Sequence, residues 1–153
     1  MPEWLTIWAA VQGVAISATA VIAWVQLGQL REAQRAWKTL EACERYESDR
    51  TIVGSLRALR NARNAGVLDL NPQKYRLDVV LILNYFEGIA IAAAQGFYRE
   101  SIVRAHLEPL IRDHVREFLN PVMAQRMGLN PDDFDSLQEL LNRWKKAPMR
   151  TEF

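Results

Sequence analysis

The stretch WLTIWAAVQGVAISATAVIAWVQLGQLREAQR, Trp4 to Arg35, decides how this chain is read, because no charged residue stands between Glu3 and Arg31. Wound as an α-helix, those 27 uncharged residues would rise about 40 Å, more than the roughly 30 Å hydrocarbon core of a bilayer. Three readings compete: a membrane span, a buried core helix and a leader peptide. A core helix of this length without one charge needs apolar cover on every side, and a remainder of about 120 residues is small to supply it. Thr6, Gln12, Ser17, Thr19 and Gln26 interrupt the stretch, and the small residues at 18–20 offer a cleavage-like pattern. A leader, however, needs a basic first region, whereas this chain starts MPE. The expectation is a transmembrane anchor over residues 1–30.

The flanks give the anchor a direction. Arg31, Arg35 and Lys38, opposed only by Glu32, put positive charge after the span, which the positive-inside rule assigns to the cytoplasm. The N-terminus is then outside. Trp4, Trp8 and Trp24 stand near the two ends, where indole rings favour the membrane interface. Within the span, Gln12, Thr19 and Gln26 recur every seven residues, and Ala9, Ile16, Ala23 and Leu30 fall three or four positions from them. Polar side chains have no partner among acyl tails, so their alignment predicts a face that meets another helix, with Gly13 allowing close approach. That helix belongs to a foreign subunit or to a second copy. The alternative is that each polar side chain bonds to its own helix backbone.

Lys and Arg number 19 and Asp and Glu 18, a formal net charge of +1. No global basic field exists to gather nucleic acid, and none is expected as a partner. Cys43 is the only cysteine, which excludes an intramolecular disulfide and a cysteine-rich zinc site, and fits a reducing compartment. Its neighbours Glu41 and Glu44 would raise a thiol pKa, so it reads as a small core residue.

Beyond the span the pattern is helical throughout. Ala33, Ala36, Trp37, Leu40, Cys43 and Tyr46 repeat with a helical period, so the first helix continues past the anchor, with Glu41 and Arg45 as an i,i+4 pair. Ser48 or Asp49 can cap a second helix closed by Gly66, with Ile52, Val53, Leu56 and Leu59 as its buried stripe. Arg57, Arg60 and Arg63 make one flank of it basic: a solvated face or a contact for anionic lipid headgroups. After a turn at Pro72 the segment from Val79 to Ala94 carries one charge, Glu87, with Asn84 a turn earlier. It is short for a second span and reads as the central helix of a bundle, buried nearly all round and ended at Gly96. Asn84 and Glu87 are then buried polar residues, and the carboxylate needs a partner, with Arg57, Arg60, Arg99 and Arg104 as candidates. A catalytic acid is the alternative.

Residues 98–128 read as one helix or two joined near Pro109, with a break at Asn120-Pro121. Asn130-Pro131 repeats that start signal before a last helix that buries Phe134, Leu137, Leu141 and Trp144 and ends on Lys145 and Lys146. His106 and His114 are the only histidines and form no metal-ligand spacing. No phosphate-cradling glycine loop and no nucleophile elbow occurs, so no catalytic residue, cofactor or metal is expected.

The exit segment LGQLREAQRA, the central LNYFEGIAIAAAQGFYRESIVRAHLEPLIRDHV and the closing DDFDSLQELLNRW together resemble the bacterial domain-of-unknown-function 4760 family. Its Asn, Phe-Glu pair and Gly match Asn84, Phe86, Glu87 and Gly96. The resemblance implies a membrane-anchored helical domain, hence the bacterial inner membrane, and no established activity. The expected architecture is all-α: a transmembrane helix continuing into a small cytosolic helical bundle at residues 31–147, with a flexible tail at 148–153. The expected role is that of a non-enzymatic accessory, scaffold or regulatory subunit of a membrane complex. The alternative is a homo-oligomer whose polar helix face lines a pore or ion path, and a weaker third reading is a hydrolase using Glu87.

Overall fold

The computed structural model describes residues 3–146, with the backbone alone for residues 3–7 and 9–11. Six α-helices follow one another: α1 (Glu3–Ser48), α2 (Arg50–Asn64), α3 (Arg76–Ala94), α4 (Glu100–Phe118), α5 (Pro121–Met127) and α6 (Asp135–Lys146). Single 3-10 turns, Pro72–Tyr75 and Pro131–Phe134, precede α3 and α6, and no strand occurs among the described residues. The all-helical expectation holds. The tail expected at 148–153 lies outside the described residues.

The chain divides into a unit of residues 1–35 and a unit of residues 36–153. The first is the N-terminal part of α1. From Gln12 onward its side chains are all exposed, and the helix is long and apolar enough to cross a membrane. α3 with its preceding turn passes the same test of length and composition, yet 39 % of its most apolar window is buried, as befits a core helix.

The second unit is built around α3, which packs against α2, α4 and α6. Val79, Ile82, Leu83 and Phe86 of α3 are sealed from solvent together with Ile111 of α4 and Leu137 and Leu140 of α6. α3 is not buried all round, however: Leu77, Asn84, Gly88 and Ile91 form an exposed line along it, at i, i+7, i+11 and i+14. In this unit α1 contributes Thr39, Ala42, Cys43 and Tyr46 to the interior, again at helical spacing. Trp37, read from sequence as part of the apolar stripe, is instead 71 % exposed. Two residues from Thr39 it stands about 200° round the helix, on the side away from the core.

Local signals set most boundaries. The Asp49 carboxylate accepts from the backbone N–H groups of Thr51 (2.8 Å) and Ile52 (3.2 Å), which caps α2. Gly66 and Gly96 follow α2 and α3 with φ of 67° and 73°, a conformation that costs glycine little. The chain then closes back through Val67 N–H to Ala62 O and Phe97 N–H to Ala92 O. α4 passes through Pro109 unbroken, so the join considered there does not occur. Asn120 caps α5 by accepting from Met123 N–H at 2.9 Å. Phe134, Leu137, Leu141 and Trp144 are all buried, as their spacing indicates.

Candidate functional site

On α1, Gln12, Thr19 and Gln26 share one face and are exposed, as are Gly13, Ile16 and Ala23. The side chains of Trp4 and Ala9 lie outside the described residues. Trp8 and Trp24 are exposed, and so are Arg31, Arg35 and Lys38. Thr19 Oγ1 of this face is already satisfied within the helix by donating to Ala15 O, as is Ser17 Oγ on another side by donating to Gly13 O, both at 2.8 Å. The polar character left for a partner therefore rests on the two glutamines.

Asn84 and Glu87 part company. Asn84 lies on the exposed line of α3, so its reading as a buried polar residue is corrected. Glu87 is half-buried, and none of the four arginines holds it. Its two oxygens accept from the backbone N–H groups of Ser136 (3.1 Å) and Leu137 (2.8 Å), in the first turn of α6. A helix begins with N–H groups that lack partners and with partial positive charge, so a carboxylate there serves as counter-charge and cap at once. Phe134, immediately before α6, has no side-chain acceptor of its own. The acceptor therefore comes from elsewhere in the chain.

The arginines are used otherwise. Arg104 donates to Glu108 (Nε to Oε2, 2.8 Å) and to the carbonyl of Trp144 (2.9 Å) near the end of α6, while Arg112 holds the other Glu108 oxygen. Desolvation pushes the Glu108 carboxyl up, but the two guanidinium groups outweigh it and hold the pKa below the usual carboxylate range. Arg63 makes a two-pronged ion pair with Glu117 of α4, its Nε at 3.1 Å from Oε1. The flank Arg57, Arg60, Arg63 is thus not uniformly available to lipid. Cys43 is buried, and burial aided by Glu44 pushes its thiol up to about 11. That suits a core residue rather than a nucleophile.

A cleft of about 530 Å³ lies between the end of α1, α2 and α4. Its apolar lining is Val53, Leu56, Leu59 and Leu110, and Tyr46 and His114 border it. His114 Nδ1 lies 2.8 Å from Leu110 O, a contact that makes Nδ1 the protonated donor. Its ring packs on Phe86 and Phe118, at centroid distances of 5.6 and 6.0 Å. His106 is exposed, so the two histidines do not share a site. Burial pushes the Tyr46 hydroxyl up to about 12, with the charge of Arg60 lowering it and that of Glu47 raising it. Sequence alone singled out Arg60 as one of a basic run and as a candidate partner for Glu87, and left Glu47 unremarked. The cleft forms from residues up to 71 positions apart, Tyr46 to Glu117, which no short motif reports.

No curated protein and no solved structure matches the chain. The family model described as domain of unknown function (DUF4760) matches residues 13–144.

Proposed function

The chain belongs to the DUF4760 family, and on that premise we propose that it is a non-enzymatic, single-span membrane protein of the bacterial inner membrane. Its N-terminus lies outside and its second unit is in the cytoplasm, where it serves as an accessory, scaffold or regulatory subunit. The observation that carries this reading is the uncharged half of α1, whose described aliphatic residues Val14, Ile16, Val21, Ile22, Val25, Leu27 and Leu30 are all more than half exposed. Moving that surface out of water is favourable by on the order of 10 kcal/mol. The family match begins at residue 13, inside this apolar stretch, which supports treating the stretch as part of the domain rather than as a removable leader. The accessory role draws support from the way the charged groups of the second unit are engaged. Glu87 holds the start of α6, and Arg104 with Glu108 and Arg112 is committed to packing α4 against α6.

Membrane attachment is tested by alkaline carbonate extraction: the chain is expected to stay in the pellet, and release into the supernatant overturns the anchor. Orientation is tested in a Cys43→Ala background. An impermeant maleimide added outside is expected to label Glu3→Cys and spare Lys145→Cys, and the reverse pattern would invert the topology.

The span is proposed to pack against a partner helix through Gln12 and Gln26. Each interhelical hydrogen bond in a membrane contributes about 0.6–2 kcal/mol, so Gln12→Leu with Gln26→Leu is expected to weaken association about tenfold. Unchanged crosslinking to co-purified partners sinks the idea. Native mass in mild detergent identifies the partner: stoichiometric foreign subunits fit an accessory protein, whereas a ring of identical chains fits the pore alternative.

A further inference from the structure

We propose that one end of the second unit is a docking surface for anionic phospholipid headgroups of the membrane that α1 crosses, with Trp37 and Phe97 as its interfacial rings and Lys38, Arg99, Lys145 and Lys146 as its charges. The proposal rests on the reading of α1 as an anchor.

Contacts within the second unit bring these residues to one end of it. Phe86 of α3 packs on Tyr46 of α1 at 5.4 Å between centroids, whereas Arg99, beyond the end of α3, donates its N–H to Thr39 Oγ1 of α1 at 2.9 Å. α3 thus runs antiparallel to α1, and the connection from α3 to α4 arrives at the first turn of α1 in this unit, which starts at Ala36. The last turn of α6 closes the same end. Trp144 Nε1 donates to Glu100 Oε1 at 2.8 Å and Arg143 to Glu100 Oε2 at 3.2 Å, in the first turn of α4.

The side chains gathered there are left in water. Trp37 is 71 % and Phe97 64 % exposed. Lys38, Arg99, Lys145 and Lys146 are exposed too, and none of the four is in an ion pair with a described residue. Glu100, the acid among them, is already held by Arg143. Lys145 and Lys146 suit the end of a helix, where the dipole favours cations. Arg99 does not: it stands at the N-cap of α4, where a cation opposes the dipole and its side chain makes no cap bond.

Exposed rings beside unneutralised cations match the zone between water and acyl chains, where aromatic side chains settle at headgroup level and basic ones meet lipid phosphate. A headgroup layer is a continuous field of anions, so it sets no fixed spacing for the four cations. It is also within reach. Trp37 follows Leu30, the end of the uncharged stretch, by seven residues, so chain length alone keeps it within about 25 Å of that end at any angle between the two units. The flank Arg57, Arg60, Arg63 is a separate surface on α2, with Arg63 spent on Glu117.

The test uses the full chain in lipid nanodiscs, in a Cys43→Ala background. Bimane is attached at Gln95→Cys, at the proposed surface, or at Asn71→Cys, which lies at the opposite end of α3, a helix about 30 Å long. Discs of phosphatidylcholine are compared with discs holding about 30 % phosphatidylglycerol, both with a nitroxide lipid labelled just below the headgroup. Quenching at Gln95→Cys is expected to be about threefold stronger in the anionic discs, with Asn71→Cys weakly quenched in both. Salt at about 0.5 M should remove most of the difference. Arg99→Gln should lower the docked-to-undocked ratio about fivefold, and the combination of Lys38→Gln, Arg99→Gln, Lys145→Gln and Lys146→Gln should bring the anionic discs to the neutral level. Trp37→Ser with Phe97→Ser should weaken quenching in both discs, and Arg57→Gln with Arg60→Gln should leave it unchanged. All these side chains are exposed, so circular dichroism melts should match the parent chain. A chain that fails to co-elute with the discs overturns the anchor and the docking with it. Co-elution with equal quenching at the two positions leaves the anchor standing and overturns the docking alone. So does quenching indifferent to phosphatidylglycerol or to the fourfold substitution.

Discussion

Replacing Phe86 with alanine is expected to cost about 3–5 kcal/mol, as large-to-small changes at sealed aromatic positions do. The ring is fully buried and packs on Tyr46 at 5.4 Å, Tyr85 at 5.7 Å and His114 at 5.6 Å between centroids, so it joins α1, α3 and α4 at one point. Because domains are stable by only about 5–15 kcal/mol, the second unit should lose about a fifth or more of its stability. The measurement is urea unfolding of the full chain in detergent, followed by near-ultraviolet circular dichroism, to which Tyr46 and Tyr85 contribute. A loss under about 1 kcal/mol would mean that α3 is not the centre of the core.

Glu87→Ala is the second large effect. It leaves the Ser136 and Leu137 N–H groups without their charged acceptor and removes the counter-charge at the start of α6, for a loss of about 2–4 kcal/mol. Glu87→Gln keeps one acceptor oxygen and should lose about 1–2 kcal/mol. Asn84→Ala, one turn away but exposed, is expected to stay within about 0.5 kcal/mol of the parent. Amide hydrogen exchange at Ser136 and Leu137 reads the local effect: protection should fall in Glu87→Ala and not in Asn84→Ala. Equal behaviour of the two variants would remove the capping role.

Glu87 also marks where sequence reading stops. A nearly uncharged helix that carries one carboxylate states that the carboxylate needs a partner, and that much is legible. A sequence names side chains and so offers arginines, whereas the actual donors are two backbone N–H groups 49 and 50 residues away. Asn84 shows the complementary error. It is one turn from Glu87, but in a helix with apolar residues all round, the face turned outward is set by which neighbours arrive, and here it is the line of Leu77, Asn84 and Ile91. Trp37 is the same case on α1: an indole at helical spacing reads as core until Thr39, accepting from Arg99 N–H at 2.9 Å, fixes the buried side.

By itself the sequence determined the all-helical class, the uncharged stretch from Trp4 to Leu30, a cap at Ser48 or Asp49, the break at Asn120-Pro121, and the turns at Gly66 and Gly96. These follow from hydrogen bonds and hydrophobic spacing within about four residues, and such interactions are complete in any local window of the chain. Only the tertiary structure decided that Glu87 caps α6 and that Arg63 is spent on Glu117. Those outcomes depend on which helix faces meet, and competition among distant segments for the same apolar and charged surfaces is not written in any one of them.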